Sequence, residues 1–261
     1  MDQWLIHAEI LWPAMVAGLL VLATHVPLGR EVLQRGIIFL DLAIAQIAAF
    51  GVVIANTIGF GMSDHGTIPP LLIGILAAIV GAFSLYRLRN LPVRVQESII
   101  GILFILAATG SLLLLSADPH GGEQLKAILV GQILWFQPEA LMPLFVCYAV
   151  VLVLWLTLKQ KLGDWLFYPL FAVTITLSTQ VVGVYLVFAS LIIPSLSTLN
   201  HERPLVKAFM LGALSYALGL VLSALLDLPA GAAIVWCLAL NGLVYWVFSV
   251  TILRNKQVNN K

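Results

Sequence analysis

One acid in this sequence is embedded among apolar residues on both sides. Asp41 follows Gly36-Ile37-Ile38-Phe39-Leu40 and precedes Leu42-Ala43-Ile44-Ala45. A carboxylate in such a segment is expensive to desolvate, and ionisable groups kept inside a membrane usually serve function. Asp41 can contact a cation, or it can pair with Arg35 or Arg30, which lie shortly before it. Gln46, Asn56, Gln180 and Asn241 are neutral groups in apolar surroundings. They can coordinate an ion, but their commoner role is to hydrogen-bond one helix to another. Thr174, Thr176, Ser178 and Thr179 can line a pathway or bond to their own backbone carbonyls.

Other chemistries find little support. No HExxH, no GxSxG and no paired carboxylates occur in the apolar segments, so an intramembrane protease or esterase is not indicated. No P-loop is present, and ATP hydrolysis, if used, belongs to another chain. The five histidines (His7, His25, His65, His120 and His201) all fall near segment ends. Cys147 and Cys237 sit singly in apolar stretches, without CxxC spacing, and are expected to be small buried hydrophobes.

The elements that position these groups follow from composition. The chain has 261 residues, of which 61% are hydrophobic and 10% charged. Its mean hydropathy is +1.05. A soluble domain carries about 25% charged residues, so a water-soluble enzyme, a nucleic-acid binder and a disordered chain are excluded. The net charge of +1 offers no field for a polyanion. Eight stretches contain no Asp, Glu, Lys or Arg: Ile10–Gly29, Leu42–Ser63, Gly66–Tyr86, Ser98–Ala117, Ala140–Leu158, Trp165–Asn200, Ala208–Leu226 and Leu228–Leu253. Crossing about 30 Å of hydrocarbon takes roughly 20 apolar residues. Seven stretches suit one crossing each. Trp165–Asn200 is too long for one, and is expected to form two short helices or a span plus a re-entrant piece.

Basic residues orient the chain. With Arg30 and Arg35 in the cytoplasm, alternation puts Arg87, Arg89, Arg94, Lys159 and Lys161 there as well. Counting Trp165–Asn200 as a hairpin adds Arg203, Lys207, Arg254, Lys256 and Lys261, and leaves only Lys126 outside. The bias favours nine crossings, N-terminus out and C-terminus in, with an eight-span arrangement still open. Met1–Glu9 lacks the basic start of a signal peptide. The expected architecture is an all-α polytopic membrane bundle forming one domain over 1–261. Residues 118–139 form the longest outer segment, with a short amphipathic helix over Glu123–Phe136 and Trp135 and Phe136 in the interfacial belt. Residues 195–207 form the notable inner loop, in which Pro204 can start a helix. Gly51, Gly59, Gly61, Gly212 and Gly219 are candidates for close helix approach.

Four segments, in order, resemble the membrane permeases of ABC importers for zinc, manganese and iron(II). They are Arg35-Gly36 through Gly51, Glu97-Ser98-Ile99-Ile100-Gly101-Ile102, Val182-Gly183-Val184 through Ala189-Ser190-Leu191-Ile192-Ile193-Pro194, and Leu228-Pro229-Ala230-Gly231-Ala232. The family places an F-G-D-x-x-x-H type helix at the first and a D-x-x-x-G-I at the second. It has a V-G-x-x-L-x-x-x-L-L-I-I-P run at the third and a P-x-G-P-x turn at the fourth.

The resemblance implies a type II importer-like fold in the inner (plasma) membrane, working by alternating access as a homodimer or pseudo-dimer. It implies cytoplasmic ABC ATPase subunits, an extracytoplasmic metal-binding protein, and a divalent ion (Zn²⁺, Mn²⁺ or Fe²⁺) as cargo. No catalysis and no bound cofactor are implied for this chain itself. The segment after Pro194 matches the region that docks on the ATPase, which singles out Ser197, Asn200, Glu202 and Arg203. Asp41 matches the family's aspartate on the metal path. The residue four beyond it is Ala45 rather than His. Gln46 stands five residues before Gly51, as the family's His does. On a regular helix Asp41 and Gln46 point roughly 140° apart; a single π-bulge would bring them toward one face. A secondary transporter needing no ATPase, or an assembly subunit with no pathway, are the alternatives.

Overall fold

The computed structural model describes residues 2–58, 69–116, 118–199 and 201–259, with side chains between 9 and 249 of these. All regular structure among them is helical. The helices are α1 (Asp2–Arg35), α2 (Leu40–Thr57), α3 (Pro70–Arg87), α4 (Val93–Leu115), α5 (Gly121–Val130), α6 (Leu141–Leu162), α7 (Asp164–Ser197), α8 (Pro204–Leu226) and α9 (Ala230–Asn259). Single 3-10 turns at Ile133–Trp135 and Pro138–Ala140 join α5 to α6. Eight helices, all but α5, are long and apolar enough to cross a membrane. Lipid offers backbone groups no partners, so helices that satisfy their own amides are the expected solution.

Proline and glycine punctuate these helices. Pro70 and Pro204 open α3 and α8, and Pro92 precedes α4. A proline in the first turn loses no hydrogen bond, because that amide has no partner in the helix. Gly36, Gly131 and Gly163 have positive φ and end α1, α5 and α6. The break at Gly36 changes the depth of Asp41. The side chain lies in the first turn of a new helix rather than along a continuation of α1. The helix expected over Glu123–Phe136 ends earlier, at Val130, because Gly131 turns the chain with φ 73°. Ile133 beyond it is buried, while Trp135 is 79% exposed, as a belt residue should be.

The long stretch Trp165–Asn200 is the centre of the bundle. Its spanning window is 78% buried, against 22% for α4 and α6, which carry the outward apolar faces. Gly183 interrupts α7 with φ 78° and ψ 163°, a conformation open only to glycine. The two halves run back along each other. Asp164, at the start, pairs with Arg35 at the end of α1. Ser195, near the finish, donates to the carbonyl of Val26 at 3.3 Å, and Leu191 and Ser195 pack on Gly29. Both ends of α7 therefore meet the same end of α1. The break at Gly183 divides the stretch in two, which suits either expected arrangement, two short helices or a span plus a re-entrant piece.

Small residues let the helices approach. A Cβ at Gly51 would lie 2.8 Å from Ala77 on α3, one at Gly212 would lie 2.7 Å from Leu22 on α1, and one at Gly219 would lie 2.5 Å from the Ile234 Cα on α9. Gly59 and Gly61 lie outside the described residues. α1 packs on α7 and α8, and α2 packs on α3, α4 and α7.

Candidate functional site

Charged side chains gather at one end of the bundle. Arg35 pairs with Glu31 at 3.0 Å and with Asp164, Lys159 also pairs with Glu31, and Arg89 lies 3.9 Å from Asp164. Each cation also lies on a ring: Arg35 over Phe167, Arg89 over Tyr86 and Lys159 over Trp155. This cluster ties together the ends of α1, α3 and α6 and the start of α7. It puts those four helix ends on one side, as the alternation of basic residues requires.

Asp41 sits at this charged end, inside the bundle. It is 1% exposed, and its carboxylate has no side-chain partner among the described residues, facing only the backbone amides of Asp41 and Leu42 at the start of α2. The Arg35 guanidinium is committed to Glu31 and Asp164, and no ion pair joins Asp41 to Arg30. The pairing that would have made Asp41 purely structural is therefore absent among the described residues. Its position in the first turn of α2 supplies the positive end of the helix dipole, which favours a carboxylate.

Glu97 on α4 is a second, half-buried acid here. Its Oε1 also lacks a partner. Its carboxylate faces the backbone amides of Ile38 and Phe39, in the turn that leads into α2. Sequence reasoning recorded Glu97 only as the start of a motif. Position −4 from Gly101 was the available signal. Only the packing of α4 on α2 shows that the side chain reaches the turn next to Asp41. Gln46 is buried too, but α2 is a regular α-helix from Leu40 to Thr57, without a π-bulge. Asp41 and Gln46 thus point in different directions. Among the described residues, no three His, Cys, Asp or Glu side chains converge as a metal site.

The remaining polar groups divide clearly. Thr174, Thr176, Ser178 and Thr179 each donate to the carbonyl four residues earlier. Ser178 additionally meets the Tyr148 hydroxyl at 2.6 Å, and Ser190 meets that of Tyr216 at 2.8 Å. Asn241 donates to Ser215 at 3.0 Å, joining α9 to α8. Asn56 and Gln180 are exposed. His25 departs from expectation: α1 continues ten residues, about 15 Å, beyond it to Arg35. Its ring is wholly buried, with Nδ1 donating to the Val21 carbonyl at 2.9 Å and Nε2 unpartnered among the described residues. Cys147 is exposed, not buried as expected; Cys237 is buried.

At the last position of α7, Ser197 is half-buried, donates to the Ile193 carbonyl and packs on Gly242 of α9. His201 bonds Ser249 at 2.6 Å and packs edge-on against Tyr245. Glu202 and Arg203 are exposed, and Arg203 holds a left-handed conformation just before Pro204. Asn200 lies outside the described residues.

The profile of the ABC 3 transport family matches residues 7–165 and 156–249. The chain belongs to the ABC 3 transport family. It is therefore a membrane permease of the ABC transporter type, a transport component. A probable iron transport system membrane protein of Haemophilus influenzae is 25% identical over 76% of this chain and 79% of its own length. The manganese transport system membrane protein MntC of Halalkalibacterium halodurans is 29% identical over 90% and 85%. Among solved structures, PsaBC from Streptococcus pneumoniae in complex with Fab superposes with a TM-score of 0.72 at 20% identity, over 91% of each chain. An inward-facing metal-chelate type ABC transporter gives 0.59 at 23% identity, over 93% of this chain and 85% of that one. At these identities the two structures support the fold.

Proposed function

We propose that this permease imports a divalent transition metal, Zn²⁺, Mn²⁺ or Fe²⁺, by alternating access across the inner membrane. The observation that carries the reading is Asp41. A buried carboxylate without a side-chain partner costs several kcal/mol, and a chain that keeps one in a transport family has a use for it. Asp41 is the cargo contact, with Glu97 beside the same turn. Gln46 is a separate polar station about 7.5 Å further along α2. Carboxylate and amide oxygens suit Mn²⁺ and Fe²⁺, and the lack of a histidine at position 45 disfavours a zinc-only site. A transit site must also release its ion, so incomplete ligation within one chain fits the task. Relatives named for iron and for manganese transport support the cargo class.

In this reading the charged end is cytoplasmic, the N-terminus is outside and the C-terminus inside. The permease works as a homodimer with cytoplasmic ATPase subunits and an extracytoplasmic metal-binding protein. Glu202 and Arg203 are free to contact the ATPase, with Asn200 in the same loop, while Ser197 braces the loop on α9. The test is metal accumulation by cells expressing the whole system. Uptake should need the ATPase, and Asp41→Ala at equal expression should abolish it. Uptake that persists without any ATPase would instead favour a secondary transporter. Glu202→Lys with Arg203→Glu should release the ATPase on co-purification; retained association would remove the docking assignment.

A further inference from the structure

The face of α2 that lies between α3 and α4 is left partly open. Ile47 and Phe50 stand three residues apart on one side of that helix. A Cβ at Gly81 of α3 would lie 2.8 Å from the Ile47 side chain, and one at Gly110 of α4 would lie 2.8 Å from the Phe50 ring. The strip Ile47, Phe50 and Ile54 therefore runs between the two neighbours, and all three side chains are half-buried. α3 and α4 follow each other in the chain, yet they pack on α2 rather than closely on each other. Val80 on α3 and Leu106 on α4 are exposed. The result is an apolar groove with α2 as its floor. From Ala77, which meets Gly51 of α2, to Arg87 is about 15 Å along α3. That is one leaflet of a hydrocarbon core roughly 30 Å thick.

A basic turn stands at the charged end of this groove. Arg87 ends α3 and Arg94 lies in the first turn of α4. Both are exposed, and neither makes an ion pair among the described residues. Arg89 between them lies 3.9 Å from Asp164, and Glu97 on the next turn faces the Ile38 and Phe39 amides. Gln96 donates to the carbonyls of Arg89 and Leu91 at 3.0 and 2.6 Å. Those bonds fix the turn and occupy two oxygens that would repel an anion. Pro92 precedes α4, whose first amides have no acceptor within the helix and favour negative charge. The Arg87 guanidinium lies back over the Phe83 ring, 4.8 Å from its centre, which holds its charge at the edge of the apolar surface.

We propose that this groove holds one anionic phospholipid, with an acyl chain along Ile47, Phe50 and Ile54 and its phosphate on Arg87 and Arg94. Charge decides the occupant. An apolar strip alone would take any lipid tail, but two uncompensated arginines at its end select a negative headgroup. A zwitterionic headgroup brings a cation of its own to the same place. A second copy docked here about a two-fold axis would bring like arginines toward each other. The leaflet, cytoplasmic, follows from the orientation given above; the site itself does not depend on it.

The test uses the purified full chain, delipidated in detergent, and native mass spectrometry with dioleoyl phosphatidylglycerol and dioleoyl phosphatidylcholine. Two basic contacts should favour the glycerol lipid by roughly ten- to thirtyfold. Arg87→Gln and Arg94→Gln should each lower that preference by about fivefold, and Arg87→Lys should keep it. Inorganic phosphate at the same concentration should leave the lipid bound, because the groove holds its chain. A phosphatidylglycerol with a photoreactive acyl chain should cross-link to α3 and α4. Equal binding of the two lipids, a preference unchanged in both Gln variants, displacement by phosphate, or cross-links confined to other helices would overturn the site. So would a disulfide between copies through Val80→Cys, made with Cys147→Ser and Cys237→Ser in native membranes, since it would put a second copy on the groove. None of these measurements reads metal uptake, so the import reading and the lipid site fail separately.

Discussion

Replacing Asp41 by Asn keeps the shape of the side chain and removes its charge. Three terms set the expected effect on stability. Burial of the carboxylate costs several kcal/mol, and the side chain is 1% exposed without a side-chain partner among the described residues. The N-terminus of α2 returns up to about 2 kcal/mol. No ion pair returns anything, because Arg35 is held by Glu31 and Asp164. The balance leaves the charged form unfavourable by about 1–3 kcal/mol. Asp41→Asn should therefore unfold at the same temperature or higher, by about 2–4 °C for each kcal/mol gained. Metal uptake should fall to background, since an amide binds a divalent ion far more weakly than a carboxylate. The assays are tryptophan-monitored thermal unfolding of the purified permease and isotope uptake at matched expression. A variant that is clearly less stable would show Asp41 to be a structural anchor. A variant that transports at the parental rate would remove it from the path.

Three further outcomes follow from the packing. Gly219→Ala places a methyl 2.5 Å from the Ile234 Cα, so α8 and α9 must part; the unfolding midpoint should drop by an amount typical of overpacking, about 1–3 kcal/mol, in a denaturant titration. Glu31→Gln leaves Arg35 and Lys159 each short of a carboxylate; because Arg35 and Lys159 are partly exposed, the loss should be only about 1 kcal/mol and should shrink in a double-mutant cycle with Lys159→Met. Tyr216→Phe deletes the bond to Ser190, and should cost about 0.6–1.7 kcal/mol, with little added by Ser190→Ala in the same background.

The spans were legible because hydropathy is a local property: an apolar stretch declares itself wherever it ends up packed. The boundaries were legible where proline or glycine set them, as at Pro70 and Pro204. The sidedness of the charges came from counting along the chain, and the cluster of Glu31, Arg35, Arg89, Lys159 and Asp164 bears it out for the helix ends it joins. Gln46 shows the limit. Its spacing from Gly51 matched a ligand position, but a regular helix turns it away from Asp41. Register along a sequence does not determine which way a side chain faces when the helix can hold or lose a residue.

What the sequence determined by itself is a multi-span helical bundle with one embedded acid on its second helix. The tertiary structure alone decided that this acid has no ion-pair partner among the described residues. Its nearest cation in sequence is taken by Asp164, 129 residues away, and no local pattern reports so distant a competitor. Tertiary structure also chose where the long central stretch reverses. Gly183, the one glycine of that stretch, can take the backbone angles of the break, and there a second glycine, Gly131, meets it backbone to backbone. Both outcomes come from contacts between segments far apart in the chain, where packing and charge pairing compete.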